Sequence, residues 1–163
     1  MAKATRATQT LEKHRVSFTV HTYDYDPDAQ RTGMQAAEAL GEEPARVLKT
    51  LMALVDGKPV CAIVPSDREV SMKKLAAAFS GKSAQMMRPP EAERLTGYKV
   101  GGISPFGQMR KVPAVMEETA LAHALVYVNG GQRGLQVRLA PGDAVAVLNA
   151  KTASLITHDR DAG

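Results

Sequence analysis

Two apolar runs flank a single Asp-Gly pair: VLKTLMALV at residues 47–55 and PVCAIV at residues 59–64. Asp56-Gly57 suits the positive-φ positions of a tight two-residue turn, so the runs are expected to pair as an antiparallel hairpin. Their nearly continuous apolarity marks both strands as buried. Around this hairpin, amphipathic spacing and capping residues predict helices over 3–15, 34–40, 72–79, 89–95 and 141–149. Thr32 is read as the cap of the second, with Gly41 as its stop. Ser71 is read as the cap of the third, with Gly81 past its end. Further strands are expected over 17–23, 83–87, 112–117, 125–129, 135–139 and 153–157, with Gly130-Gly131 turning the chain. Helices and strands interleave without a regular βαβ rhythm. The expected class is therefore α/β of the α+β-like kind: a mixed, partly antiparallel curved sheet with peripheral helices.

A chain of 163 residues is most simply one domain, residues 1–163, able to bury about two-thirds of its unfolded surface. No apolar run approaches the ~20 residues that span a bilayer. The basic N-terminus lacks the apolar core of a secretion signal, and the lone Cys61 excludes an internal disulfide. Both features fit a cytoplasmic protein. The formal charge of +4 is compatible with a polyanionic partner such as RNA, and equally with simple solubility. Trp is absent and aromatics make up 4% of the chain, which argues against an aromatic base-stacking platform.

Candidate chemistry gathers in two places. GYKVGGISPFGQMRK, residues 97–111, packs Gly97, Gly101, Gly102, Pro105 and Gly107 close together, with Arg110 and Lys111 at its end. Such a loop can bring backbone N–H groups to an anion or a developing oxyanion; the same glycines also serve a tight turn. Lys49 interrupts the first apolar run, on the strand face shared with Val47 and Leu51. An ammonium there either snorkels to solvent or lines a site for an anionic group. Conventional machinery is missing. Cys61 reads as packing, and the four histidines lack ligand spacing, so no metal or cofactor is expected. The Asp24, Asp26, Asp28 series has Ala29 where a calcium loop needs glycine. Ser104 has no nucleophile elbow. The GGQRG run at 130–134 reads as a hairpin turn that presents Arg133.

Two blocks, RVLKTL at 46–51 and GYKVGGISPFG at 97–107, resemble the YbaK/EbsC family when joined with Ser17-Phe18, His21-Thr22-Tyr23 and GGQRGL at 130–135. The order and spacing hold over residues 8–158. The similarity is greatest to the Cys-tRNA(Pro) deacylase branch, related to the editing insertion domain of bacterial prolyl-tRNA synthetase. The resemblance implies trans-editing hydrolysis of a tRNA(Pro) charged with a non-cognate amino acid, beside prolyl-tRNA synthetase. It implies a catalytic set of Lys49, Gly101 and Gly102. The implied substrate-binding set is Tyr23, Thr32, Thr50, Tyr98, Ile103, Ser104, Pro105, Arg133 and Gln136. Thr32 and Gln136 depart from the family, where phenylalanine and aspartate can stand, which leaves open a specificity for Ala-tRNA(Pro) or a broader set. A non-catalytic tRNA- or synthetase-binding module on the same scaffold is the alternative from another class.

Overall fold

The computed structural model describes residues 4–28 and 34–157. In chain order the elements are α1 (Arg6–Lys13), β1 (Thr19–Thr22), α2 (Gln35–Leu40), β2 (Leu48–Val55), β3 (Lys58–Pro65), α3 (Met72–Ala78) and β4 (Ala84–Met86). These are followed by α4 (Pro89–Thr96), β5 (Ala114–Glu117), β6 (Val126–Gln132), β7 (Leu135–Leu139), α5 (Pro141–Leu148) and β8 (Lys151–Ala153). The β2–β3 hairpin forms as read, running from Leu48 opposite Pro65 to Val55 opposite Lys58. Asp56 and Gly57 take φ of 50° and 81°, the left-handed pair of a tight hairpin turn. The Asp56 carboxylate accepts hydrogen bonds from the Lys82 and Ser83 amides, which brings the chain into β4. Those amides hold the carboxyl below its ordinary range.

The mixed, partly antiparallel arrangement with peripheral helices is what forms, and its strands divide into two sheets. One has the order β4-β2-β3-β5-β8, the other β1-β7-β6. β3–β5 and β5–β8 are parallel and the remaining pairs antiparallel. Among the described residues a single bridge, between Val47 and Tyr127, joins the two sheets. On the edge of β2 away from β3, β4 covers only Ala53–Val55. Between that pairing and the Val47 bridge, no strand among the described residues covers Leu48–Leu51. The sheets part there, and that opening positions the site.

The larger core lies under β2, β3 and β5–β7, with Leu11, Ile63, Phe106, Met116 and Leu139 fully buried. Thr5 caps α1 through the Thr8 amide and donates its hydroxyl to the Gly130 carbonyl at 2.5 Å, tying the helix to β6. Phe106 is the largest fully buried side chain. Phe106→Ala is expected to cost about 3–5 kcal/mol, read as a lowered denaturant midpoint with unchanged slope.

Three local expectations are corrected. The β6–β7 turn falls inside the 130–134 run as read, but at Arg133-Gly134, because Gln132 already pairs with Leu135; Gly130 and Gly131 sit in a bulge within β6 instead of turning the chain. Asn129 Oδ1 accepts from the Gly131 amide at 2.7 Å and carries the strand through that irregularity. After α3 the left-handed residue is Ser80, at φ 56°, whereas Gly81 is needed for space: a Cβ there would lie 2.4 Å from Val55 Cγ1. The last strand stops at Ala153 and only Ile156 bridges further, to Val70. Among the described residues no helix is long and apolar enough to cross a membrane.

Candidate active site at the junction of the two sheets

Where the sheets part, a cavity of about 320 Å³ opens. β2 contributes Lys49 and Thr50, β7 contributes Gln136, and the chain after β1 contributes Tyr23. Gly101 and Ile103 reach it from the glycine-rich loop. The structure thus brings Lys49 to that loop, the juxtaposition the sequence left open. Lys49 is half-buried. Burial lowers its ammonium pKa below the ordinary lysine value, while the Glu69 and Asp67 carboxylates oppose that shift. Burial likewise raises the Tyr23 phenol, which therefore keeps its proton at neutral pH as a potential donor.

Among the described residues two buried polar atoms, Thr50 Oγ1 and Gln136 Oε1, have no hydrogen-bond partner. Both belong to residues lining this cavity. A buried polar group left unsatisfied costs about 1–3 kcal/mol, so their gathering in one cavity suits a polar occupant.

The loop separates residues that face the cavity from residues that brace it. Gly97 ends α4 in the left-handed region at φ 80°. Tyr98, read as substrate-binding, is buried and donates its hydroxyl to the Phe106 carbonyl at 2.6 Å. Burial pushes its phenol up to about 12. Ser104 is buried as well, its Oγ accepting from the Phe106 amide and its carbonyl from Gln108 Nε2. Pro105 turns to a separate cavity of about 200 Å³, where it lies with Cys61 and Phe106. These three side chains hold the loop's shape and do not line the site.

The two central glycines also divide. Gly102 donates its N–H to the Lys99 carbonyl at 2.8 Å, closing a turn, so that amide is already committed. It permits close approach instead: a Cβ there would meet Arg133 N at 2.7 Å and the Gln132 carbonyl carbon at 2.9 Å. Gly101, at φ +92°, lines the cavity, and its N–H meets no acceptor among the described residues. Arg133 is exposed and does not line the cavity; its Nε donates to the Val100 carbonyl at 2.8 Å. Thr32 lies outside the described residues.

Sequence reasoning passed over two contributors. Tyr25, in a stretch read as loop from its aspartates and proline, lines the cavity with its hydroxyl against Gly101. Asn129 lines it too and donates to the Gly101 carbonyl at 3.3 Å. An asparagine ahead of a glycine pair was the available signal, since its side chain readily bonds the backbone two residues on. Cys61 is fully buried away from this cavity, its thiol pushed up to about 12, which makes it a poor nucleophile. Among the described residues no group of three His, Cys, Asp or Glu side chains could hold a metal ion.

Residues 27–146, which include Lys49, Gly101 and Gln136, match the family model of the aminoacyl-tRNA editing domain. The chain belongs to that family. Its chemistry is therefore that of aminoacyl-tRNA editing, the hydrolysis of the ester that joins an amino acid to tRNA. The chain is 32% identical over 156 residues to a protein of Enterococcus faecalis named "Putative Cys-tRNA(Pro)/Cys-tRNA(Cys) deacylase EbsC", covering 95% of this chain and 94% of that one. It is 34% identical over 94 residues to a proline–tRNA ligase of Acidithiobacillus ferrooxidans, covering 58% of this chain and 16% of the ligase. Among solved structures, one described as "a putative trans-editing enzyme for prolyl tRNA synthetase" superposes with a TM-score of 0.79 at 23% identity. That likeness covers 96% of this chain and 100% of the other and concerns the fold.

Proposed function

We propose that this protein is a free-standing editing deacylase that hydrolyses mischarged tRNA(Pro), foremost Cys-tRNA(Pro), alongside prolyl-tRNA synthetase. The observation that carries this reading is one cavity that, among the described residues, holds a half-buried lysine, a glycine amide without an acceptor and two unpartnered polar atoms, and is lined by no cysteine or serine. An aminoacyl ester is already activated, so positioning and oxyanion stabilisation are the main demands on the protein. The Gly101 N–H is the donor for the carbonyl oxygen as it gains charge. Lys49 holds a phosphate or polar group of the tRNA 3′ end, and Tyr23 and Ile103 shape the pocket. Thr50 and Gln136 supply polar partners to the aminoacyl group.

With cysteine as the aminoacyl group, the substrate's own thiol attacks its carbonyl. A C–S bond forms, the C–O bond to the ribose breaks, and the thiol proton passes to the ribose oxygen. Water then opens the thioester and frees cysteine.

Deacylation of a panel of Cys-, Ala-, Ser- and Pro-tRNA(Pro), with and without prolyl-tRNA synthetase, tests the reading. The expected result is rapid loss of the cysteinyl ester and survival of the prolyl ester. Preference for the alanyl ester would move the specificity, and tRNA binding without turnover would reduce the protein to a binding module. Cys61→Ser is expected to retain full kcat per folded molecule, because that thiol lies in the other cavity. A large loss with the fold intact would reinstate a protein nucleophile.

A further inference from the structure

Arg133 does not line the cavity, yet it is bonded to the peptide that offers the Gly101 amide. In a trans peptide the carbonyl oxygen and the following N–H lie in one plane and point opposite ways. The Val100 carbonyl is held by Arg133 Nε at 2.8 Å, so the Gly101 N–H of the same peptide is directed away from Arg133. The next carbonyl, that of Gly101, accepts from Asn129 Nδ2 at 3.3 Å. Both carbonyls flanking this amide are thus restrained, and the N–H between them has no acceptor among the described residues.

Arg133 is itself fixed. Its guanidinium carbon lies 5.3 Å from the Tyr25 ring centroid, and the Tyr25 hydroxyl packs where a Cβ on Gly101 would be. Its backbone sits in the β6–β7 turn against Gly102, with Gly134 at φ +78° permitting the bend.

We infer that Arg133 is a positioning residue: its bond to the Val100 carbonyl aims the Gly101 N–H into the cavity and strengthens it as an oxyanion donor. A hydrogen bond from a cation is roughly twice as strong as a neutral one, and it draws electron density toward the carbonyl end, leaving the N–H more positive. Tyr25 clamps the guanidinium. The inference rests on the deacylase reading, since it names what supports the oxyanion donor of that reaction. It separates Arg133 from the simpler role of an exposed arginine on a tRNA phosphate.

Steady-state kinetics of Arg133→Ala and Arg133→Lys test it on Cys-tRNA(Pro) and on 3′-O-cysteinyl-adenosine, which carries no phosphate. Thermal unfolding serves as the fold control. Positioning predicts that kcat falls about 10–100-fold in both variants on both substrates, because lysine keeps the charge but not the planar Nε donor or the stack. KM and the salt dependence of tRNA binding stay unchanged. A phosphate contact predicts the opposite pattern: weaker tRNA binding with a salt slope reduced by about 1, rescue by lysine and no effect on cysteinyl-adenosine. That pattern, or an unchanged kcat, overturns the inference while leaving the deacylase reading in place. Absence of turnover by the unaltered protein on every mischarged tRNA would instead overturn the deacylase reading itself.

Discussion

Lys49→Met is expected to lower kcat/KM on Cys-tRNA(Pro) by about 10²–10³-fold, the scale of losing one charge-stabilising group in an enclosed site. The same substitution should leave the thermal midpoint equal or higher. Burial lowers the Lys49 pKa, so the folded state disfavours the charged form relative to the unfolded chain. For a base, that cost is fully present at pH values below the folded pKa, shrinks as pH rises through it, and is gone only above the ordinary lysine value of the unfolded chain. Methionine has a similar length and no charge, so it removes the cost while filling the strand position. A lysine that served only packing would show no such opposition between activity and stability. Single-turnover deacylation and thermal unfolding at pH 7 check both halves. Parent-like hydrolysis by the folded variant would remove Lys49 from the site.

Gly102→Ala is expected to fail differently, losing stability and activity together. Its added methyl would meet backbone atoms, Arg133 N at 2.7 Å and the Gln132 carbonyl carbon at 2.9 Å. Neither can rotate aside as a flexible side chain could. The glycine loop must move away from the β6–β7 turn, at the ~1–3 kcal/mol typical of overpacking. That movement stretches the bond between Arg133 Nε and the Val100 carbonyl and misdirects the Gly101 amide. A shift near 1 Å at a catalytic donor costs about 10²-fold in rate. A lowered denaturant midpoint with a kcat reduced by about that factor is the expected pair of results. Normal kcat in a folded Gly102→Ala protein would show that the loop tolerates displacement and that its contact with the turn is incidental.

Most of the elements were legible because their signals are local. Asp56-Gly57 between two apolar runs specified the β2–β3 hairpin, and Ser71 caps α3 through the Lys74 amide as read. Gly41 and Gly97 end their helices in the left-handed region. The β6–β7 turn is legible as the 130–134 run but not to the residue, because two glycine-bearing pairs, 130–131 and 133–134, compete for it. Strand register and the Asn129 side chain, both long-range in origin, settle the choice. The site was legible in composition and obscure in roles. Lys49 and the glycine loop stood out in the chain, yet Tyr98 and Ser104 look as functional in sequence as Gly101. Only their hydrogen bonds to the Phe106 backbone show that they are braces.

By itself the sequence determined a mixed sheet built on one hairpin, a lysine in an apolar strand and a glycine loop without a nucleophile. These follow from turn dihedrals, side-chain periodicity and residue chemistry, all readable within a few positions. The tertiary structure alone decided that no strand among the described residues covers the β2 edge at Leu48–Leu51, and that the cavity opening there gathers Lys49, Gly101 and Gln136. It also decided which amide of the glycine pair lacks an acceptor among the described residues: the Lys99 carbonyl takes the Gly102 N–H, and Arg133 holds the carbonyl of the peptide before Gly101. The Lys99–Gly102 turn is local, but the Arg133 and Asn129 bonds that restrain the Gly101 peptide come from β6 and the β6–β7 turn, and no spacing within the loop encodes them.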